Sequence, residues 1–193
     1  MSKKITLQQI AEAAKSINVP TAALQAVMKV EAKGSGFNTD GTPVILFERH
    51  VFRNRLITNG KASIADKVMR ARPDLCATTS GGYGLYSAQH GRLNAACQYD
   101  RNSALESASW GLGQVMGYHW KALGYASLQA FINAMYKDEA SQLDAMCRFI
   151  KFNGLDKYLR KQDWKNFAFN YNGKEYAKNN YDVKLANAFK EFS

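Results

Sequence analysis

Residues 109–117 read Ser-Trp-Gly-Leu-Gly-Gln-Val-Met-Gly, with three glycines inside seven positions and helix-like sequence on both sides. No other segment restricts the fold so strongly. Glycines this dense mark backbone that must come close to a ligand or to another element. Trp110 adds a flat face on which a ring can lie, and Gln114 adds both a hydrogen-bond donor and an acceptor. A tight junction between two helices accounts for the same glycines, so both readings stand at this point.

The flanking sequence is punctuated as helices. Thr6-Leu-Gln-Gln9 is a capping box that opens a helix to about Ile17. Pro20 sits where a first helical turn accepts it, and a second helix is predicted over Ala22–Ala32, stopped by Gly34 and Gly36. Val44-Ile-Leu-Phe47 follows Gly41-Thr-Pro43 as a short strand or extended segment. Residues 63–72 read as a helix ending before Pro73. Residues 74–100, rich in Gly, Ser, Thr and Tyr around Gly81-Gly82-Tyr83-Gly84, read as a loop or small hairpin of the length that is often functional. Ser103-Ala-Leu-Glu106 reads as a second capping box. Beyond Gly117 the chain is mostly helical, with stops at Asn153-Gly154 and Asn172-Gly173. There is no internal repeat, low-complexity tract or linker. The expectation is a single domain over 1–193, mainly α, with a small extended or β lobe inserted at about 37–100. At 193 residues and 46% hydrophobic, the chain can build a core unaided.

Charge narrows the partners. A formal net charge of +10 favours a polyanion: nucleic acid, an anionic membrane surface or a charged wall polymer. Lys and Arg are dispersed, and no ordered basic–aromatic motif appears, so nucleic acid is not the expected partner. Cys76, Cys97 and Cys147 form an odd set without Cys-x-x-Cys spacing, and His50, His90 and His119 are scattered. Reduced, mostly buried thiols are expected, with no metal and no cofactor. No run approaches a membrane span, and Met1-Ser-Lys-Lys-Ile-Thr is followed by no long apolar stretch. Synthesis in a cytoplasm without a signal peptide is therefore expected.

One carboxylate is oddly placed. Leu24, Val27, Met28 and Glu31 share one face of the predicted helix, and that face is otherwise apolar. Burial and the partial negative charge of the helix C-terminus would both raise the Glu31 pKa. A carboxylic acid kept neutral is what protonation of a glycosidic oxygen requires. A glutamate bending into water, or pairing with Lys33 or an arginine, is the plainer alternative. Near the chain's end, Phe169-Asn-Tyr-Asn-Gly173 places Tyr171 and Asn172 at a probable helix end, either as polar contacts for a substrate or the acid, or as a surface cap.

Taken in order, these elements resemble the lysozyme superfamily, in which a catalytic Glu at a helix end precedes a Gly-Leu-Met-Gln element and a Tyr-Asn-Ala-Gly element. The counterparts are Val30-Glu31-Ala32, Gly111-Leu-Gly-Gln114 and Tyr171-Asn-Gly173. More closely, the chain resembles the N-acetylmuramidase domain of bacteriophage endolysins. It shares Glu31, then Gly34-Ser-Gly36-Phe37, Leu46-Phe-Glu-Arg-His50-Val-Phe52 and Ser109–Gly117, over about residues 8–190. Position 113 is Gly where the superfamily often has Met, and Ala32 replaces a frequent Ser.

The resemblance implies a lysozyme-like α+β fold with the active cleft between helical domain and small lobe; many such endolysins also carry a separate wall-binding domain, for which 193 residues leave no room, so none is expected here. It implies a peptidoglycan hydrolase for bacterial lysis, cleaving the β-1,4 bond between N-acetylmuramic acid and N-acetylglucosamine with Glu31 as acid. Ser109, Gln114, Tyr171 and Asn172 would bind sugar, with Trp110 stacking on it or packing beneath. Such a protein would act as a monomer on bacterial peptidoglycan after holin-type release, aided by attraction to anionic wall or outer-membrane polymers. A lytic transglycosylase using the same Glu, and a non-catalytic basic polyanion binder, are the alternatives. Glycosidases usually employ a second carboxyl group. Glu48, placed just after an apolar strand, leads the candidates. Glu106 reads as a capping-box residue that can still border the cleft, and Asp40-Gly41 reads as a turn.

Overall fold

The computed structural model describes residues 3–31 and 34–193. In chain order its elements are α1 (Leu7–Ser16), α2 (Thr21–Glu31), β1 (Ile45–Phe47), α3 (Arg49–Thr58), α4 (Ala62–Ala71), α5 (Gln89–Cys97) and α6 (Arg101–Glu106). There follow β2 (Ala108–Trp110), β3 (Val115–Met116), α7 (Leu128–Lys137), α8 (Glu139–Phe152), α9 (Asp156–Arg160), α10 (Trp164–Asn172) and α11 (Tyr181–Phe192). The chain is mostly helical, with a small antiparallel sheet. It divides into two compact units. The first holds residues 1–42, 111–113 and 134–193, and the second holds 43–110 and 114–133.

In the first unit, α1 begins as the sequence dictates. The Thr6 hydroxyl accepts from the Gln9 amide at 3.2 Å, and Gln9 Oε1 accepts from the Thr6 amide at 2.9 Å. Helix α2 starts one residue earlier than expected, because the Pro20 carbonyl already accepts from Ala23 and Leu24. Its expected last residue, Ala32, lies outside the described residues, as does Lys33. Ala23, Leu24, Ala26 and Val27 of α2 are fully buried. They pack along α11, where Leu185 and Ala188 are buried in turn. Small alanines on both faces let the two axes approach closely. Helix α8 supplies the apolar residues Leu143, Met146 and Ile150. Asp138 caps it by accepting from the Ser141 amide at 2.7 Å, and Asp163 caps α10 through the Asn166 amide.

In the second unit, β2 is the middle strand of an antiparallel sheet. Ile45 pairs with Trp110 and Phe47 with Ala108 on one side, and Trp110 pairs with Val115 on the other. Phe47, Phe52, Leu56, Val68, Leu75 and Leu93 form its core with Trp110.

Three expectations change here. The segment 109–117 does not join two helices; it is the β2–β3 hairpin. The segment 74–100 is irregular only to Leu85, after which a 3-10 turn leads into α5. The apolar spacing of Leu93 and Ala96 buries that helix, a signal masked by the Gly- and Tyr-rich run before it. Finally, Ser103–Glu106 is not a capping box. Asp100 caps α6 by accepting from the Ser103 amide at 2.8 Å, which puts Glu106 at the end of the helix. The lobe expected at 37–100 thus holds one short strand and several helices.

Candidate active site

Glu31 is the last described residue of α2 and is half-buried. Its Oε1 accepts from Asn172 Nδ2 at 3.0 Å. Asn172 closes α10, and the positive-φ Gly173 behind it ends the helix. One residue earlier, Tyr171 turns inward. Its hydroxyl donates to the Gly113 carbonyl at 2.9 Å, and its ring stacks on Phe167 with the edge of Phe149 against it. Burial, and then the neighbouring charge of Glu31, push the phenol pKa well above its usual value, so the hydroxyl stays a donor. Tyr171 therefore holds the Gly111–Gly113 turn.

That turn is gripped from α8. Gln142, 1% exposed, accepts from the Leu112 amide at 3.0 Å and donates to the carbonyls of Gly36 at 3.2 Å and Met135 at 2.8 Å. A Cβ at Gly111 would lie 2.5 Å from the Gln142 side-chain carbonyl carbon, and one at Gly113 would lie 2.6 Å from Met146 Cβ. The space a side chain at 113 would take is thus filled by Met146, which gives the departure from the superfamily pattern a packing reason. Beside it, the buried Glu139 carboxylate accepts from the Gly36 amide at 3.1 Å, Ser35 Oγ at 3.0 Å and the Ile5 amide at 3.0 Å. Neither Glu139 nor Gln142 was singled out from sequence. The available signal was two polar residues on the face of α8 that also carries Met146.

In the second unit, Glu48 leaves β1 and stands at the N-cap of α3, yet its side chain makes no capping bond. It is turned inward, 17% exposed, with Oε2 3.3 Å from His50 Nδ1. That oxygen is buried without a hydrogen-bond partner among the described residues. Burial raises the Glu48 pKa. The charge of His50, the Tyr83 hydroxyl and the charge of Arg92 oppose that rise. Arg49 does not pair with Glu48, but donates to the Pro73 carbonyl at 3.2 Å.

On β2, Ser109 Oγ donates to Gln114 Oε1 at 2.8 Å. Gln114 has a φ of 46°, a left-handed conformation uncommon outside glycine and one that concentrates at functional positions. Trp110 is 1% exposed, and its indole nitrogen donates to the Leu105 carbonyl at 3.2 Å. It packs in the core and presents no stacking face. Glu106 is also enclosed. Its carboxylate accepts from Arg55 Nε at 2.8 Å, Asn59 Nδ2 at 3.2 Å and Trp120 Nε1 at 3.1 Å. These bonds tie α3 to α6. Asp40 makes the expected turn, accepting from the Thr42 amide at 2.9 Å. Among the described residues no cluster of His, Cys, Asp and Glu fits a metal, and no helix is long and apolar enough to cross a membrane.

The family model for N-acetylmuramidase matches residues 20–193. A solved structure described as Burkholderia AP3 phage endolysin superposes with a TM-score of 0.92 at 42% identity, over 100% of this chain and 73% of that one. No curated protein matches the chain.

Proposed function

The chain belongs to the N-acetylmuramidase family and is a peptidoglycan hydrolase of lysozyme-like fold. From that premise we propose that it cuts the β-1,4 bond between N-acetylmuramic acid and N-acetylglucosamine, with Glu31 as general acid. The observation that carries this reading is the Asn172 amide bonded to Glu31 Oε1. An amide N–H needs an acceptor, so when the group is protonated Oε1 is the carbonyl oxygen and the proton sits on Oε2. The carboxyl group is then oriented for transfer to a leaving oxygen, and a positioned acid contributes on the order of 10²–10⁴-fold.

Glu48 is the second carboxylate of this reading. Its Oε2 is buried beside His50 Nδ1, at 3.3 Å, without a hydrogen bond. Ionised, the carboxylate would stabilise a developing oxocarbenium charge. Ser109 and Gln114 would contact the acetamido and hydroxyl groups. Tyr171 acts through the turn it holds, and Trp110 and Glu106 act through the fold. The net charge of +10 draws the protein to anionic wall or outer-membrane polymers. In a phage setting it is made in the host cytoplasm and reaches the wall after membrane permeabilisation.

Mass spectrometry of products from purified peptidoglycan tests the reaction. Reducing muramic ends, one water heavier than anhydro sugars, are expected. A 1,6-anhydro product would instead make the muramic 6-hydroxyl the nucleophile and the protein a lytic transglycosylase. Intact peptidoglycan, together with salt-dependent binding to polyanions, would favour a non-catalytic binder.

A further inference from the structure

Arg49, Arg53 and Arg92 gather in the second unit, and none of them has a carboxylate counter-ion among the described residues. Arg49 opens α3, and Arg53 stands one turn on, at a spacing that puts both on one helix face. Arg92 comes from α5, and its guanidinium lies over the Phe47 ring, 5.5 Å from the centroid. The loop between α4 and α5 joins the group together. A Cβ at Gly82, whose φ is +67°, would lie 2.7 Å from Arg49 Cζ, so the backbone there rests on that guanidinium. At the next residue the Tyr83 carbonyl accepts from Arg92 Nη1 at 2.6 Å. Two guanidinium groups thus meet consecutive residues of one loop.

The bonds that hold these side chains leave their charge in place. Arg49 donates to the Pro73 carbonyl at 3.2 Å, and Arg92 donates to the carbonyls of Tyr83 and Asp74. The Nε atoms of Arg49 and Arg53 are buried without a partner. Asp74, whose carbonyl Arg92 touches, gives its carboxylate to Arg72, at 2.8 and 2.7 Å. Elsewhere Arg55, Arg148 and Arg160 each meet a carboxylate. Carbonyls orient a guanidinium but do not neutralise it, and like charges one helical turn apart repel. Half-buried arginines held in this way are set to receive an anion. Their place in the chain says which one. Arg49 follows Glu48 directly, and Arg92 covers the side chain of the residue just before it, so the cations flank the segment that carries Glu48.

We propose that Arg49, Arg53 and Arg92 form a carboxylate-binding subsite that takes the free carboxylates of the peptide stems on muramic acid. This rests on the reading that Glu48 belongs to the cleft of the glycoside cleavage. Muramic acid bears its stem through a lactyl group on the same ring as the bond that is cut, so stem and bond enter the protein together. In intact peptidoglycan the lactyl carboxyl is amide-bonded, and the carboxylates of the stem are the anions offered beside the glycan. The planar fork of arginine matches a carboxylate with two parallel bonds, which a lysine does not. The subsite makes the protein favour glycan that still carries charged stems.

The experiment measures kcat and KM on purified walls, and on the same walls after carbodiimide coupling of methylamine to their free carboxyls. Arg53→Gln comes first, because its loss leaves the loop bonds of Arg49 and Arg92 in place. Arg49→Gln comes second; if loss of its Pro73 bond lowers the melt, Arg53→Gln still decides. On native walls each variant raises KM by about 3–10-fold, with kcat held within about twofold. On amidated walls the parent itself shows the raised KM, and the variants no longer differ from it. Equal KM for parent and Arg53→Gln on native walls overturns the subsite. So does a rise in KM that persists undiminished on amidated walls; weaker binding of the variant to phosphatidylglycerol vesicles would then assign the arginines to a lipid surface. Glu48→Gln, run beside them, separates this from the reading beneath it. Parental kcat in that variant would take Glu48 out of the reaction, while the two wall preparations still decide whether the arginines bind carboxylates.

Discussion

Replacing Gln142 with leucine keeps the side chain's bulk and deletes its hydrogen-bonding groups. Three backbone groups then lose their partners: the Leu112 amide and the carbonyls of Gly36 and Met135. The residue is 1% exposed, so water does not readily replace them. Each orphaned buried group costs about 1–3 kcal/mol, with carbonyls at the low end, which gives a loss of about 3–6 kcal/mol. For a chain of this size, 1 kcal/mol moves the Tm by about 2–4 °C. The melting temperature should therefore fall by roughly 10–20 °C. Activity should fall as well, because Gln142 fixes both the Gly36 backbone and the turn that Tyr171 holds. The assay is thermal and urea denaturation followed by circular dichroism, beside turbidity loss on purified walls at a temperature where the variant is folded. A Tm within about 3 °C of the parent would refute the reasoning, since it would mean the three backbone groups are satisfied without Gln142.

Glu48→Gln should stabilise the fold at neutral pH while removing activity. The folded-state pKa of Glu48 is raised by burial, so ionising it costs stability as pH rises from the unfolded carboxylate range through the folded value. Glutamine escapes that cost, and the gain in Tm seen at pH 7 should vanish below about pH 4, where both states are protonated. Asn172→Ala should cost about 10–100-fold in turnover with little change in Tm, as expected for one hydrogen bond to an ionisable partner, measured by wall turbidity. Trp110→Ala should cost about 3–5 kcal/mol of stability in urea unfolding, as a buried core residue does, and unchanged unfolding with a raised KM would reinstate it as a sugar platform.

The sequence made some parts of this site legible and hid others for physical reasons. Thr6 and Gln9 announced α1 because a capping box is a local device, complete within four residues. Glu31 stood out because helical spacing placed it among Leu24, Val27 and Met28, and the family resemblance then gave it a role. The hairpin at 108–116 was missed because strands of two and three residues leave almost no period-two pattern. Glu106 was misassigned because a Ser-x-x-Glu spacing is shared by capping boxes and by helix ends. What decides between them is whether Asp100, three residues before Ser103, caps first. Gln142 and Glu139 were invisible in sequence, since their partners Gly36 and Leu112 lie 106 and 30 residues away in the chain. Long-range polar satisfaction leaves no trace in local spacing.

The most direct test of the central claim is Glu31→Gln assayed on purified peptidoglycan, with folding checked by circular dichroism. The variant keeps an acceptor for Asn172 and loses only the transferable proton. The expected result is a native melt with cleavage reduced by at least about 10²-fold. Cleavage within a few-fold of the parent would show that another group supplies the proton.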